Sequence, residues 1–270
     1  MFICEASSSF VQEVENSKIG EKFMVPKPTK INIKKDQNSL VLLDKKTFGS
    51  AFDKPRDITS EVIEASGAKV PVADGDLLLL HLHNKQGEAS YVVGSFHGDT
   101  HGLATIPVLE AIMKSMESKY KDCQFVFGLD ANCYSTNTDH TLYVKALGDY
   151  LKKHDLRSCF GQPIKADMVT TCMARTFLQP QMNKANTAAT RMTGGDVNPK
   201  DHIIYRDGQK DRLKRSFLGN YLVGSAHRDN TGGRAFDSGI TFPTLGFPSD
   251  HAAVYAELGL GAGGWTVARF

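Results

Sequence analysis

The sequence predicts a mixed domain of the α+β or layered α/β class, and three observations support this prediction. The 270 residues are 41% hydrophobic, which is enough to build one large domain around a buried core. Short apolar runs bounded by turn residues recur along the chain, as buried strands do. Segments with the apolar spacing of amphipathic helices lie between those runs, and this alternation indicates sheets covered by helices.

The net charge and the cysteine content indicate which substrates and which cellular compartment suit the protein. A net charge of +2 permits an anionic substrate without requiring one. Five cysteines without regular spacing argue against a disulfide framework and favour a reducing compartment. No apolar run reaches the roughly 18 residues of a membrane helix, and residues 1–4 are too short for the core of a signal peptide. We therefore expect a soluble intracellular protein without a membrane span.

The first hundred residues predict mainly strands. Apolar runs or alternation favour strands over residues 1–4, 30–34, 38–44, 76–83 and 89–96, the last two forming a hairpin. A serine cluster followed by helical spacing predicts a helix over residues 9–18. Residues 59–68 are compatible with a short strand or a helix.

The rest of the chain predicts helices over residues 105–119 and 139–153, and strands over residues 124–129, 201–205 and 252–256. Residues 157–198 are irregular and carry Arg175, Lys184 and Arg191. A long loop in a compact domain is either functional or a solvated insertion, and these cations could hold phosphates. Residues 259–270 are glycine-rich and are expected to be peripheral.

Polar side chains end or begin successive predicted strands. They are Glu5, His97, Asp130 with Asn132, Asp201, and Asp250 with His251. Each one alone is as well explained by a turn or a cap, but a shared sheet mouth is where such folds build sites. Carboxylates suit Mg²⁺, and imidazoles suit proton transfer or phosphate binding.

Two of these stretches carry a family resemblance. Residues 247–251 read Phe-Pro-Ser-Asp-His and residues 128–132 read Gly-Leu-Asp-Ala-Asn. With the order of the other polar residues, they resemble the endonuclease/exonuclease/phosphatase superfamily, and the first is most similar to its deadenylase branch. The resemblance covers residues 1–258 and leaves 259–270 as a tail. It implies a four-layer α/β/β/α sandwich, the DNase I-like fold.

The resemblance also implies roles for the polar residues. Glu5 and Asp250 would hold a metal, Mg²⁺ or alternatively Mn²⁺. His97 would lie at the phosphate, Asp130 and Asn132 would orient water and the scissile phosphate, and Asp201 would partner His251. Arg175, Lys184 and Arg191 would contact the substrate. The implied function is a metal-dependent phosphodiesterase, a nuclease acting on nucleic acid or another phosphate ester.

The sequence departs from the family pattern at several points. It contains no counterpart of the family's first strand, which carries an asparagine at the metal and phosphate. The usual Thr-His-Leu is Phe96-His97-Gly98, and Leu129 is inserted before Asp130. Two alternatives therefore stay open, a phosphomonoesterase acting on inositol phosphates or nucleotides, and a catalytically weakened scaffold module in a larger assembly.

Overall fold

A computed structural model describes most of the chain. The described residues are 1–34, 37–67, 69–85, 90–171, 196–206, 221–222, 226–240, 242–244, 246–259 and 265–269, with backbone only at 221–222, 259 and 265–269. Within them, no helix has the length and apolar character needed to cross a membrane. The cysteines at positions 4, 123, 133 and 159 are free thiols.

Two six-stranded sheets form the centre of the molecule. The first sheet contains β1 (Phe2–Ala6), β3 (Asn38–Val41), β11 (Tyr221–Leu222), β12 (His227–Asp229), β13 (Ala253–Gly259) and β14 (Trp265–Arg269), in the order β11-β13-β14-β1-β3 with β12 also paired to β13. The second sheet contains β5 (Arg56–Asp57), β6 (Leu77–Leu82), β7 (Tyr91–His97), β8 (Gln124–Asp130), β9 (Leu156–Ser158) and β10 (Asp201–Arg206), in the order β5-β6-β7-β8-β10-β9. A separate two-stranded sheet pairs β2 (Phe23–Met24) with β4 (Leu43–Asp44).

Six helices accompany the two main sheets in the described part of the chain. They are α1 (Phe10–Glu15), α2 (Lys18–Lys22), α3 (Lys45–Phe48), α4 (Thr59–Ala65), α5 (Thr105–Glu117) and α6 (Val144–Lys153). Val11 and Val14 of α1 pack with Leu40 outside the first sheet, while α4, α5 and α6 bury their apolar faces in a larger cluster with Leu79 and Phe127.

A separate apolar cluster fills the space between the sheets. Phe2, Val41 and Val254 of the first sheet contact Leu80 and Ile203 of the second. Successive strand residues face opposite sides, so β6 sends Leu79 to the helices and Leu80 to the partner sheet. The four layers are therefore helix, sheet, sheet and helix, which confirms the predicted α+β sandwich.

Two predicted elements differ from the structure. The strand expected over residues 30–34 is absent from that described segment, where Ile33 is 79% exposed. Its backbone is bonded instead by the side chain of Asn38, which accepts from the Asn32 N–H and donates to the Asn32 carbonyl. The helix expected over 9–18 divides into α1 and α2, with Ser17 capping the second through its hydroxyl.

The expected glycine-rich tail contributes a strand to the first sheet. β14 pairs parallel to β1 and antiparallel to β13, so it lies between them rather than at the periphery. The division of the chain at residue 258 stays a prediction.

Candidate active site

The ends of the central strands bring six of the predicted polar residues together. β7 and β8 run parallel, with His97 opposite Asp130, and β10 runs antiparallel to β8, with Asp201 opposite Asp130. These three polar residues therefore lie side by side where the strands β7, β8 and β10 meet at one end of the second sheet. Glu5 in β1 and His251, just before β13, reach the same place from the first sheet.

Glu5 reaches its partner through a distortion of its own strand. The pairing of β1 with β3 shifts register between Ile3 and Ala6, and Glu5 has the left-handed φ of 58°. A bulge of this kind re-aims a side chain out of the regular alternation. Oε1 of Glu5 lies 3.3 Å from Nε2 of His97, so the bulge joins the two sheets at the site.

Inter-sheet hydrogen bonds hold this junction from behind. The buried Ser95 hydroxyl donates to the Ile3 carbonyl at 2.9 Å, and Cys4 Sγ donates to the Phe96 carbonyl at 3.2 Å. These four residues flank Glu5 and His97 in sequence. The contact between Glu5 and His97 therefore rests on a fixed arrangement of the two backbones.

Asp130 and Asn132 form a compact unit after β8. Oδ1 of Asp130 accepts the backbone N–H of Asn132 at 2.8 Å, and Nδ2 of Asn132 donates to the Gly98 carbonyl at 2.9 Å. Asn132 has φ of 46°, a conformation that asparagine tolerates better than most residues. Both side chains are buried. Oδ2 of Asp130 lies 3.8 Å from His97 Nε2 and 3.9 Å from His251 Nδ1, so Asp130 lies between the two imidazoles.

Two glycines allow the loop after His97 to lie against this unit. A Cβ on Gly102, whose φ is 71°, would lie 2.5 Å from the Asn132 carbonyl oxygen. A Cβ on Gly98 would lie 3.0 Å from the Asp130 carbonyl oxygen. The glycine at position 98, where the family pattern has leucine, thus fits the close packing of this loop backbone on the strand end.

Asp201 and His251 form the strongest ion pair of the site. Nδ1 of His251 lies 2.8 Å from Oδ2 of Asp201, whose side chain is 2% exposed. Burial alone lowers the pKa of His251, but the carboxylates of Asp201 and Asp130 outweigh burial and raise it to about 10. The imidazole is therefore protonated at neutral pH.

The same three residues form the metal-ligand cluster that stands out among the described residues. Ligand atoms of Asp130, Asp201 and His251 all lie within 4.8 Å of one another. Nδ1 of His251 and Oδ2 of Asp201 are 2.8 Å apart, so in this structure these two ligand atoms contact each other. Among Glu5, Asp130 and Asp201, Glu5 has the most exposed side chain, at 53%.

The remaining predicted residues are not in this cluster. Asp250 is partly exposed and precedes His251. Its carboxylate is one of the charges that raise the pKa of the neighbouring His251. Arg175, Lys184 and Arg191 lie outside the described residues.

Sequence analysis missed two buried side chains beside the site. Thr170, which is fully buried, donates its hydroxyl to Oδ2 of Asp201 at 2.7 Å. Lys200, which is 2% exposed, pairs with Asp196 at 2.6 Å and lies over the ring of Tyr134. Neither residue belongs to a recognisable sequence motif. The position of Lys200 directly before Asp201 was the one feature that could have indicated its place beside the site.

Comparison with known proteins places the fold. No family model and no curated protein matches the chain. A humanized D. rerio TDP2 is 12% identical with a TM-score of 0.50, over 96% of this chain and 84% of that one. TDP2 from C. elegans is 13% identical with a TM-score of 0.51, over 95% of this chain and 64% of that one. An endonuclease/exonuclease/phosphatase family protein from Bacteroides thetaiotaomicron is 12% identical with a TM-score of 0.48, over 94% and 81% of the two chains. The two TDP2 structures show that the chain has their fold, the DNase I-like sandwich.

Proposed function

We propose that this protein is a metal-dependent phosphodiesterase that hydrolyses nucleic acid. One observation carries the proposal: Glu5, His97, Asp130 and His251, which are far apart in sequence and come from both sheets, are linked by contacts of 3.3, 3.8 and 3.9 Å. Structural capping needs no such convergence. A carboxylate, an amide and imidazoles around one point suit attack of water on a phosphate ester.

The charge of the site supports a divalent cation. Glu5, Asp130 and Asp201 contribute three negatively charged carboxylates, and the protonated His251 offsets one of these charges. A phosphodiester is itself an anion, so it cannot approach such a site unless a cation offsets the charge. Oxygen donors are the ligands that Mg²⁺ and Mn²⁺ prefer.

We assign the metal to Glu5, with Asp250 as the second proposed ligand. When bound, Mg²⁺ or Mn²⁺ would stabilise negative charge on a phosphoryl oxygen. This role suits Glu5 because its carboxylate is exposed, whereas the carboxylates of Asp130 and Asp201 are almost fully buried and already hydrogen-bonded.

The chain's own residues would then perform the proton transfers and positioning. Asp130, held by the Asn132 amide, orients the attacking water with its second oxygen. Asn132 and His97 contact the phosphate. His251, kept protonated by Asp201, donates a hydrogen bond to the phosphate.

Described residues on both sides of the segment that carries Arg175, Lys184 and Arg191 lie at this site. Before it, Thr171 forms a bridge with His251, and after it, the carbonyl of Asn198 accepts the backbone N–H groups of Thr170 and Thr171. Thr171 and Asn198 therefore lie beside the Asp201–His251 pair. We propose that these cations contact the backbone of the substrate.

Hydrolysis of bis(p-nitrophenyl) phosphate and of labelled single-stranded DNA, RNA and duplex DNA tests the proposal. The wild type should cleave with Mg²⁺ or Mn²⁺ and stop in EDTA. Asp130→Asn, which keeps shape but not charge, should lose at least about 100-fold in kcat. Lys145→Gln, which alters an exposed ion pair on α6, is the matched control and should keep full activity.

Three outcomes would contradict this function. Turnover of p-nitrophenyl phosphate or inositol phosphates in preference to every diester would indicate a phosphomonoesterase. Full activity in EDTA would show that the reaction does not depend on a metal ion. Absence of turnover on the whole panel, from protein shown to be folded, would favour a non-catalytic module.

A further inference from the structure

We infer that Thr170 is a positioning residue that fixes the Asp201–His251 pair for catalysis. The inference rests on the proposed function, because it assigns a role to a residue beside the same site. Thr170 lies in neither sheet and is two residues before the segment outside the described residues. Its side chain and its backbone each contact a different part of the pair.

The hydroxyl of Thr170 closes a ring of hydrogen bonds around Asp201. It donates to Oδ2 of Asp201 at 2.7 Å and accepts the Asp201 backbone N–H at 3.0 Å. Threonine is stiff about χ1 because it is β-branched. The two bonds therefore define a single rotamer of the Asp201 carboxylate.

The oxygen that Thr170 holds is the one that His251 uses. Nδ1 of His251 lies 2.8 Å from the same Oδ2. An imidazole bound through Nδ1 directs Nε2, on the other side of its ring, toward a substrate. Rotation of the Asp201 carboxylate would consequently turn the imidazole away from its working orientation.

The backbone of Thr170 joins segments of both sheets at this point. Its N–H donates to the Asn198 carbonyl at 2.9 Å, and its carbonyl accepts the Ala252 N–H at 2.7 Å. Asn198 leads into β10 with Asp201, whereas Ala252 follows His251 and leads into β13. Thr170 thus connects the segments that lead into strands of the two different sheets.

The test compares Thr170→Val, which removes only the hydroxyl, with Thr170→Ser, which keeps it. On the diester that the wild type cleaves, T170V should lower kcat at least about tenfold with KM changed less than about twofold. T170S should stay within about threefold of the wild type. Thr59→Val is the matched control, because Thr59 also donates to a carboxylate, Asp57, at 2.6 Å but in the region of β5 and α4; T59V should keep full activity.

A double-mutant cycle separates positioning from general stability. If Thr170 acts through Asp201, T170V should cause no further loss in the Asp201→Asn background. A merely structural role would instead lower the rate of D201N by the same factor as the rate of the wild type. Multiplicative losses, or wild-type kcat in T170V, would overturn the inference.

A second readout needs no turnover and separates this inference from the proposed function. The proton between His251 Nδ1 and Asp201 should give a downfield proton resonance, identified by its loss in His251→Gln. That resonance should persist in T170S and T59V and be shifted or lost in T170V. An unchanged resonance in T170V would refute the positioning role even in a protein that cleaves nothing, whereas absent turnover with a sensitive resonance would refute the function alone.

Discussion

Glycine in place of Glu5 should stabilise the protein relative to glutamine in the same place, although glycine normally weakens a strand. Glu5 has φ of 58°, and a left-handed conformation costs a non-glycine residue roughly 1–2 kcal/mol. Glycine avoids this cost but loses roughly 0.5–1 kcal/mol through its greater freedom in the unfolded chain. Both variants remove the carboxylate, so the lost contact with His97 cancels in the comparison.

The difference between the midpoints of these two ranges leaves Glu5→Gly more stable than Glu5→Gln by roughly 0.75 kcal/mol. For a chain of this size, that corresponds to a rise of about 1–4 °C in melting temperature. Urea denaturation of the two variants, followed by circular dichroism, measures it directly. Both variants should be inactive, since neither supplies a carboxylate to a metal.

Arg157 provides the control for this comparison. It is exposed in β9 and does not have a positive φ. Arg157→Gly should therefore be less stable than Arg157→Gln by about 0.5–1 kcal/mol. If Glu5→Gly is less stable than Glu5→Gln by the same free energy as Arg157→Gly is less stable than Arg157→Gln, the backbone at Glu5 is not strained and the reasoning is wrong.

Three further changes should affect stability in defined directions. Gly128→Ala should cost about 1–3 kcal/mol in urea denaturation, because its Cβ would lie 2.3 Å from the Phe2 ring between the sheets; an unchanged midpoint would contradict this. Lys200→Met should cost about 3–5 kcal/mol by removing the ammonium group from the mostly buried Asp196 carboxylate, and a loss below about 1 kcal/mol would argue against that pair. His251 has a folded pKa of about 10 against an ordinary 6.5, so its stabilisation is complete below pH 6.5 and is lost as pH rises to 10; His251→Gln should flatten that slope in melts across this range.

Much of the site could be predicted because its residues occupy a regular position. Glu5, His97 and Asp130 lie at or near the ends of strongly apolar runs. The strand pattern alone therefore predicts that these polar side chains lie at strand ends. The pairing of Asp201 with Asp130 follows from two such strands in one sheet. Strand order and the bulge at Glu5 depend on contacts between distant segments, which the local pattern does not contain.

The failures have equally specific causes. The alternation over residues 30–34 predicted a strand, but the Asn38 side chain satisfies that backbone in place of a neighbouring strand. Thr170 was overlooked because a single threonine in an irregular segment looks like any other polar residue. Its importance comes from a hydrogen bond to Asp201, which is 31 residues away in the chain.

The two members of the Asp201–His251 contact approach each other from opposite halves of the sandwich. A chain that has assembled only one half would already show much of its circular dichroism but could not form this contact. Recovery of hydrolysis during refolding should therefore lag behind recovery of the ellipticity signal. In this protein, enzymatic competence would report the final docking event of folding rather than the formation of either half.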